Sequence, residues 1–309
     1  MKREDFVVST LGKATLPSPV VGQAFVSDGE TVCYETDAER LAQYIRNNEE
    51  IPAFERAGAR EKIFHDPAWS RAAILTAGGL CPGLNEVIKF LTQTLINDYK
   101  VPVVYGIPYG YRGLNPARKL SPVTLTMEMV DAIHEEGGTI LGSSRGQEDT
   151  GIIVDTLMRM NINMLFCIGG DGTARCAHDI ALEIKRRKLA ISVICVPKTV
   201  DNDLNFIDQT FGFATAVLQA GPYITCAHSE AKGAYNGVGL VKVMGRDSGF
   251  IAAYTALSNP FVNYCLIPEV PFTLEGEGTK SLLLQPILNC FYMIGEHLAS
   301  KYLFLTNYY

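Results

Sequence analysis

The sequence predicts an α/β protein built on parallel sheets with helices on both faces, and three observations carry that prediction. Short apolar runs are followed by turn residues and then by helical periodicity, as in Arg71–Thr76, Ala77-Gly78-Gly79, and then Leu84, Val87, Ile88, Leu91 and Leu95. Three such turns, rich in glycine or aspartate, stand at the carboxyl ends of predicted strands, where open parallel sheets bind ligands. The chain of 309 residues carries 47% hydrophobic side chains, enough for a sizeable core and far above the disordered range.

Taken in order, residues 1–68 show scattered proline and charge with weak periodicity and read as an extension packed over a core. Residues 69–200 read as a first α/β domain. Within it, Ala72–Thr76, Val101–Ile107, Met164–Ile168 and Ile191–Val196 are predicted strands. The predicted helices are the one beyond Pro82, then Thr126–Glu136 with Met129, Val130 and Ile133 on one side, Ile152–Met160, and Thr173–Lys188. The basic group Lys185-Arg186-Arg187-Lys188 suits the negative end of the last helix. Residues 201–278 read as a partial second domain, with strands at Gly237–Val243 and Tyr264–Ile267 and a helix at Ser248–Ala256. Residues 279–309 form an atypical tail. There Leu284, Ile287, Leu288 and Phe291 permit one helical face before an aromatic end at Tyr302, Phe304, Tyr308 and Tyr309.

Charge and cysteine usage narrow the function. With 27 Lys+Arg against 33 Asp+Glu, the formal charge of −6 excludes a dedicated nucleic-acid binder, which needs a cationic field. It does not exclude a polyanionic small ligand, because a few cations and backbone N–H groups can converge locally. None of the eight cysteines shows CxxC or metal-ligand spacing. No apolar signal region follows the charged start, and no run is uniformly apolar enough to span a membrane. The expectation is a cytoplasmic protein in a reducing setting, without membrane contact.

The chemistry concentrates in the three turns. Gly78-Gly79-Leu80-Cys81-Pro82-Gly83-Leu84-Asn85 and Gly169-Gly170-Asp171-Gly172-Thr173 each pass from strand to helix, where bare backbone and helix N–H groups suit a phosphate. Asp171 adds a carboxylate that a phosphate cradle tolerates when Mg²⁺ lies between them. Pro197-Lys198-Thr199-Val200-Asp201-Asn202-Asp203 sets two carboxylates beside a lysine and a hydroxyl, which suits phosphoryl transfer to an alcohol. Each has an ordinary rival. A lone glycine turn is most often only a turn, the aspartates alone would cap a helix or close an Asx turn, and Lys198 alone would be a solvated surface lysine. Their order along one predicted sheet argues against coincidence.

Together with Gly138-Thr139-Ile140-Leu141-Gly142-Ser143-Ser144-Arg145 and Met244-Gly245-Arg246, these segments resemble the ordered motif set of the phosphofructokinases, from about Arg71 to Glu275. The long extension and the form of Pro197–Asp203 resemble the plant and trypanosomatid subgroup. The resemblance implies two similar α/β domains, the second incomplete here. It also implies transfer of the ATP γ-phosphoryl group to the 1-hydroxyl of fructose 6-phosphate in glycolysis, by a cytoplasmic and allosteric homo-oligomer. Asp201 would take the hydroxyl proton, with Thr199 and Arg246 beside it, and Asp171 would hold Mg²⁺ with Asp203 in support. Gly78, Tyr111, Arg145, Gly146, Gly170, Asp171, Gly172 and Thr173 would meet ATP. Thr199, Val200, Asp201, Met244, Gly245 and Arg246 would meet the sugar phosphate or the transferring group. The pair Gly172 and Lys198 resembles the ATP users, since pyrophosphate-dependent members carry Asp at the glycine's place. A pyrophosphate-dependent phosphofructokinase, a NAD or lipid kinase sharing Gly-Gly-Asp-Gly-Thr, and an inactive nucleotide-binding subunit are the alternatives.

Three departures from the family pattern carry expectations of their own. Cys176 stands where the family usually has Gly, which predicts a bulkier helix start near the nucleotide. Gly237 stands where bacterial members carry an arginine for the sugar phosphate. No arginine follows Arg246 and the only later histidine is His297, so the cation-rich segment that grips the 6-phosphate is missing. The expectation is a truncated product whose tail is foreign to the family, keeping Mg·ATP affinity and losing turnover.

Overall fold

The computed structural model describes residues 6–235 and 237–270, together with the backbone of 301–305. The chain forms two compact units, Met1–Leu80 with Leu84–Pro197, and Cys81–Gly83 with Lys198–Tyr309. The apolar helical face expected over 284–291, together with Tyr308 and Tyr309, lies outside the described residues.

In the first unit the N-terminal stretch holds regular structure that its weak periodicity concealed. Strand β1 (Leu16–Pro17) pairs antiparallel with a later strand at Lys62–Ile63, and β2 (Thr31–Cys33) pairs antiparallel with β3 (Ala53–Glu55). Helix α1 (Ala38–Arg46) is capped by Asp37, whose carboxylate accepts from the Glu39 and Arg40 N–H groups. Beyond β4, the strand at Lys62–Ile63, the His65 ring nitrogen Nε2 lies 2.8 Å from Ser192 Oγ and ties this stretch to the main sheet.

The main sheet consists of β5 (Arg71–Thr76), β6 (Val103–Ile107), β7 (Val123–Thr124), β8 (Met164–Gly169) and β9 (Ser192–Pro197), in the order β7-β6-β5-β8-β9. All neighbours are parallel except β7, an antiparallel edge strand that the sequence did not predict. Helices α2 (Leu84–Gln93), α3 (Met127–Val130), α4 (Thr150–Arg159) and α5 (Asp171–Arg186) complete the unit. Ala73, Leu75, Leu165 and Cys167 on one face of the sheet join Ile153, Leu157, Ile180 and Ile184 of α4 and α5 in one buried cluster. The alternating Ala72 and Ile74 are equally buried, so both faces are covered, as parallel sheets require.

Two predicted helices need correction. Thr126–Glu136 is split into α3 and a 3₁₀ turn at Ile133–Glu135, with a bend at Asp131-Ala132. The bend buries Val130 and Ile133 together and leaves Met129 46% exposed. Thr173–Lys188 begins earlier, because Gly170 already occupies the N-cap with an extended backbone. It also ends earlier, at Arg186, since Lys188 turns into the left-handed region at φ 56°.

The second unit contains α6 (Phe213–Gly233), β10 (Val238–Lys242), α7 (Phe250–Leu257), β11 (Tyr264–Leu266) and β12 (Lys301–Leu305). Its sheet is parallel throughout, in the order β10-β12-β11, so part of the tail forms the central strand. Among the described residues no helix is long and apolar enough to cross a membrane.

Candidate active site

The first unit gathers one group of predicted residues at the carboxyl ends of β5 and β8. Beyond β5, the Gly78 N–H donates to the Ser144 carbonyl at 3.0 Å, and Ser143 Oγ donates to the Gly78 carbonyl at 2.6 Å. Thr76 Oγ1 donates to the Gly142 carbonyl at 2.7 Å, and Asn85 Oδ1 accepts from the Ile140 N–H at 2.8 Å. The motifs Gly78–Asn85 and Gly138–Arg145 are therefore one built structure in this unit. It carries Arg145 beside Gly79 and leads into Gly146. Residues 81–83 are the exception, since they belong to the second unit.

At the end of β8 the chain passes through Gly169 and Gly170 directly into α5, so Asp171, Gly172 and Thr173 form its first turn. The opening N–H groups of a helix have no partner within it, and this end is positive, so an anion is attracted here. Gly169 allows a close approach: a Cβ there would overlap Thr173 Oγ1. Tyr111 is 3% exposed and donates its hydroxyl to the Thr173 carbonyl at 2.8 Å. Burial pushes its phenol pKa far up, so it remains a neutral donor that braces the turn from behind. A Cβ on Gly172 would meet nothing within 4 Å, so a side chain there would enter open space. The expectation for Cys176 is corrected: its side chain is buried in the cluster formed with α4 and the sheet.

Asp171 is exposed at this helix start. Among the described residues no group of three or more His, Cys, Asp or Glu could cage a metal. Mg²⁺ needs no such cage when substrate phosphates complete its shell, and one or two carboxylates suffice. Asp171 beside an anion-attracting helix start fits that demand.

The second unit holds the other group. Lys198 is only 5% exposed, which removes its reading as a surface lysine, and Val200 is buried with it. Thr199 Oγ1 donates to Asp203 Oδ1 at 2.9 Å and accepts from the Asp201 N–H at 3.1 Å. Asn202, in the left-handed region at φ 56°, fixes the loop through both ends of its amide. Its Nδ2 donates to the Asp208 carbonyl at 3.1 Å, and its Oδ1 accepts from the Thr210 N–H at 2.7 Å. Sequence reasoning assigned Asn202 no part; an asparagine inside a turn was the available signal.

Asp201 stands out electrostatically. Its Oδ1 is buried and has no hydrogen-bond partner among the described residues. Burial, and then the neighbouring charge of Asp203, push its pKa above the ordinary aspartate value, while the Arg246 backbone N–H and the charges of Arg246 and Lys198 pull it back. Arg246 and Met244 are exposed, and Gly245 between them is buried. Cys81 donates to the Phe211 carbonyl at 3.1 Å, and burial pushes its thiol up to about 11. At Gly237 a Cβ would overlap the Ala231 carbonyl, so this backbone leaves no room for the arginine of the bacterial pattern.

The family model described as Phosphofructokinase matches residues 71–284. The chain is 49% identical over 314 residues to an ATP-dependent 6-phosphofructokinase of Borreliella burgdorferi, covering 96% of this chain and 70% of that one. It is 51% identical over 229 residues to the enzyme of that name in Trypanosoma brucei brucei, covering 74% of this chain and 47% of the relative. Against an Amycolatopsis methanolica relative it covers 61% of the relative's length, so this chain spans between 47% and 70% of these three relatives. Phosphofructokinase from Saccharomyces cerevisiae superimposes with a TM-score of 0.65 at 21% identity, over 77% of this chain and 33% of that one. A pyrophosphate-dependent phosphofructokinase from Marinobacter aquaeolei gives 0.57 at 24% identity, over 77% of this chain and 68% of that one. At those identities the superpositions establish the fold. A sequence match across most of the chain, on the segment that carries all five motifs, establishes descent: the chain belongs to the phosphofructokinase family.

Proposed function

We propose that this chain transfers the γ-phosphoryl group of ATP to the 1-hydroxyl of fructose 6-phosphate, releasing ADP and fructose 1,6-bisphosphate. The observation that carries the reading is Asp201, whose buried carboxylate oxygen has no partner among the described residues, in a turn that also holds Lys198 and Thr199 and that the Arg246 backbone N–H reaches. A raised pKa moves the carboxylate toward the working range of a general base. Asp201 accepts the hydroxyl proton as the sugar oxygen bonds to the γ-phosphorus and the bond to the β-phosphate oxygen breaks. Thr199 orients the turn, and Lys198 and Arg246 offset the charge of the transferring group.

On the donor side Gly78, Arg145, Gly146 and Gly170–Thr173 hold the nucleotide, with Tyr111 bracing Thr173. Asp171 would hold Mg²⁺, which when bound neutralises charge on the phosphate oxygens. Val200, Met244 and Gly245 shape the acceptor side. The open space beyond Gly172 favours ATP over pyrophosphate, because a nucleotide needs room there. The names of the relatives above favour ATP as well. The same family reading makes the working form a cytoplasmic homo-oligomer.

A product assay decides. Purified chain with Mg·ATP and fructose 6-phosphate should form ADP and fructose 1,6-bisphosphate in equal amounts, but slowly, because no arginine follows Arg246 to grip the 6-phosphate. Pyrophosphate in place of ATP should give little product. ADP formation that ignores the sugar, or faster turnover with pyrophosphate, would overturn the assignment.

A further inference from the structure

Asp201 is held from two directions by a single turn, and that turn has its own support. The Ser248 hydroxyl, 4% exposed, donates to the Asp201 backbone carbonyl at 2.9 Å. From the same turn the Arg246 backbone N–H acts on the Asp201 carboxylate. Gly245, at φ 124°, lets the turn close on itself, since a Cβ there would overlap the Ser248 carbonyl. On its far side the turn rests on Glu269, whose Oε1 accepts from the Gly249 N–H at 2.8 Å. A Cβ on Gly249 would come within 2.6 Å of Glu269 Oε2, so the carboxylate is seated against bare backbone. The order of support runs from Glu269 through Gly249 and Ser248 to Asp201. All four lie in the second unit.

We propose that Ser248 and Glu269 are positioning residues that fix the backbone and carboxylate of Asp201 for proton transfer. The inference rests on the reading of Asp201 as the base. Neither residue touches substrate, and both act through the turn 244–249. Such bracing matters because small displacements of a reacting group cost large factors in rate. A hydroxyl lost from a buried site also leaves the Asp201 carbonyl without its donor.

Amide hydrogen exchange of the whole chain tests the brace whether or not the chain turns over. In Ser248→Ala, amides of residues 199–203 should exchange at least about tenfold faster than in the parent, while those of β9 stay unchanged. Glu269→Ala should show the same pattern, and Ser248→Thr, which keeps the hydroxyl, should restore protection. Kinetically, Ser248→Ala should lower kcat about tenfold or more with KM for ATP unchanged. Unchanged exchange over 199–203 in both alanine variants would overturn the brace. Asp201→Asn separates the two ideas. It should lose turnover while keeping parental exchange over 199–203, and retained turnover there would instead remove Asp201 as the base.

Discussion

A buried aspartate that must ionise to work lowers the stability of the state it works in. The folded chain raises the Asp201 pKa above its ordinary 3.8, so folding favours the protonated form. The stability linked to that proton is fully present below the unfolded value and is lost as pH rises through the folded one. At neutral pH the charged carboxylate is a net cost to the fold, and an uncharged isostere removes it. Asp201→Asn should therefore melt higher than the parent at pH 7 and lose that advantage toward pH 3. Its turnover should fall by about 10² to 10⁴, the usual worth of a positioned base. Thermal unfolding at several pH values beside a rate assay checks both halves. A variant that melts lower at pH 7, with turnover intact, contradicts the reading of this side chain.

Among the elements, α5 combines function and stability in one helix: its first turn holds Asp171, and its last turn holds a charge network. Glu183 takes hydrogen bonds from Arg186 at 2.7 Å and from Arg187 at 2.6 Å, and Arg187 also pairs with Asp155 of α4. These bonds hold Glu183 down at about 2, below the ordinary glutamate value of 4.5. A depressed carboxylate stabilises above the unfolded value and loses that contribution as pH falls through the folded one. Glu183→Gln should unfold slightly earlier than the parent above pH 4.5, converge with it near pH 2, and differ less in high salt, because exposed pairs are screened. Denaturant midpoints across that range measure this. A gap that persists at pH 2 would mean that packing, and not charge, carries the difference.

Which elements were legible in the sequence follows from the same physics. Strands β5 and β8 stood out as continuous apolar runs because both their faces are buried, and helix α2 because its apolar spacing matches the face it buries. Helix α6 did not. Its buried residues Phe213, Ala220, Ile224 and Ala231 form a narrow stripe, Leu218 and Tyr223 are exposed, and Pro222 lies inside the helix. Those buried positions recur at helical spacing, but Pro222 and the exposed apolar residues between them mask the pattern. Strand β12 was hidden for a different reason, since its pairing partners lie far back in the chain. At the site, residue types in ordered turns revealed Asp171, Thr199 and Asp201. The supports Ser248 and Glu269 stayed hidden, because their hydrogen bonds reach residues that only the fold brings near, whereas Asn202 bonds within its own loop and offered only the weak signal of an asparagine in a turn.

For the molecule as a whole, a net charge of −6 means that no broad cationic field gathers phosphate ligands, so each must be caught by local donors. The donors predicted for ATP lie in the first unit and those for the sugar phosphate in the second. Ligand-dependent exchange protection should divide along the same line. Mg·ATP should protect segments 76–80, 142–146 and 169–174, and at about 100 times its Kd should add ~2.7 kcal/mol to stability. Fructose 6-phosphate should protect 198–203 and 244–249. Removing Mg²⁺ with a chelator should weaken the first pattern and leave the second, because only the triphosphate needs its charge neutralised at Asp171. Protection by Mg·ATP confined to the second unit would show that α5 does not receive the nucleotide, and protection undiminished after chelation would show that Asp171 holds no Mg²⁺.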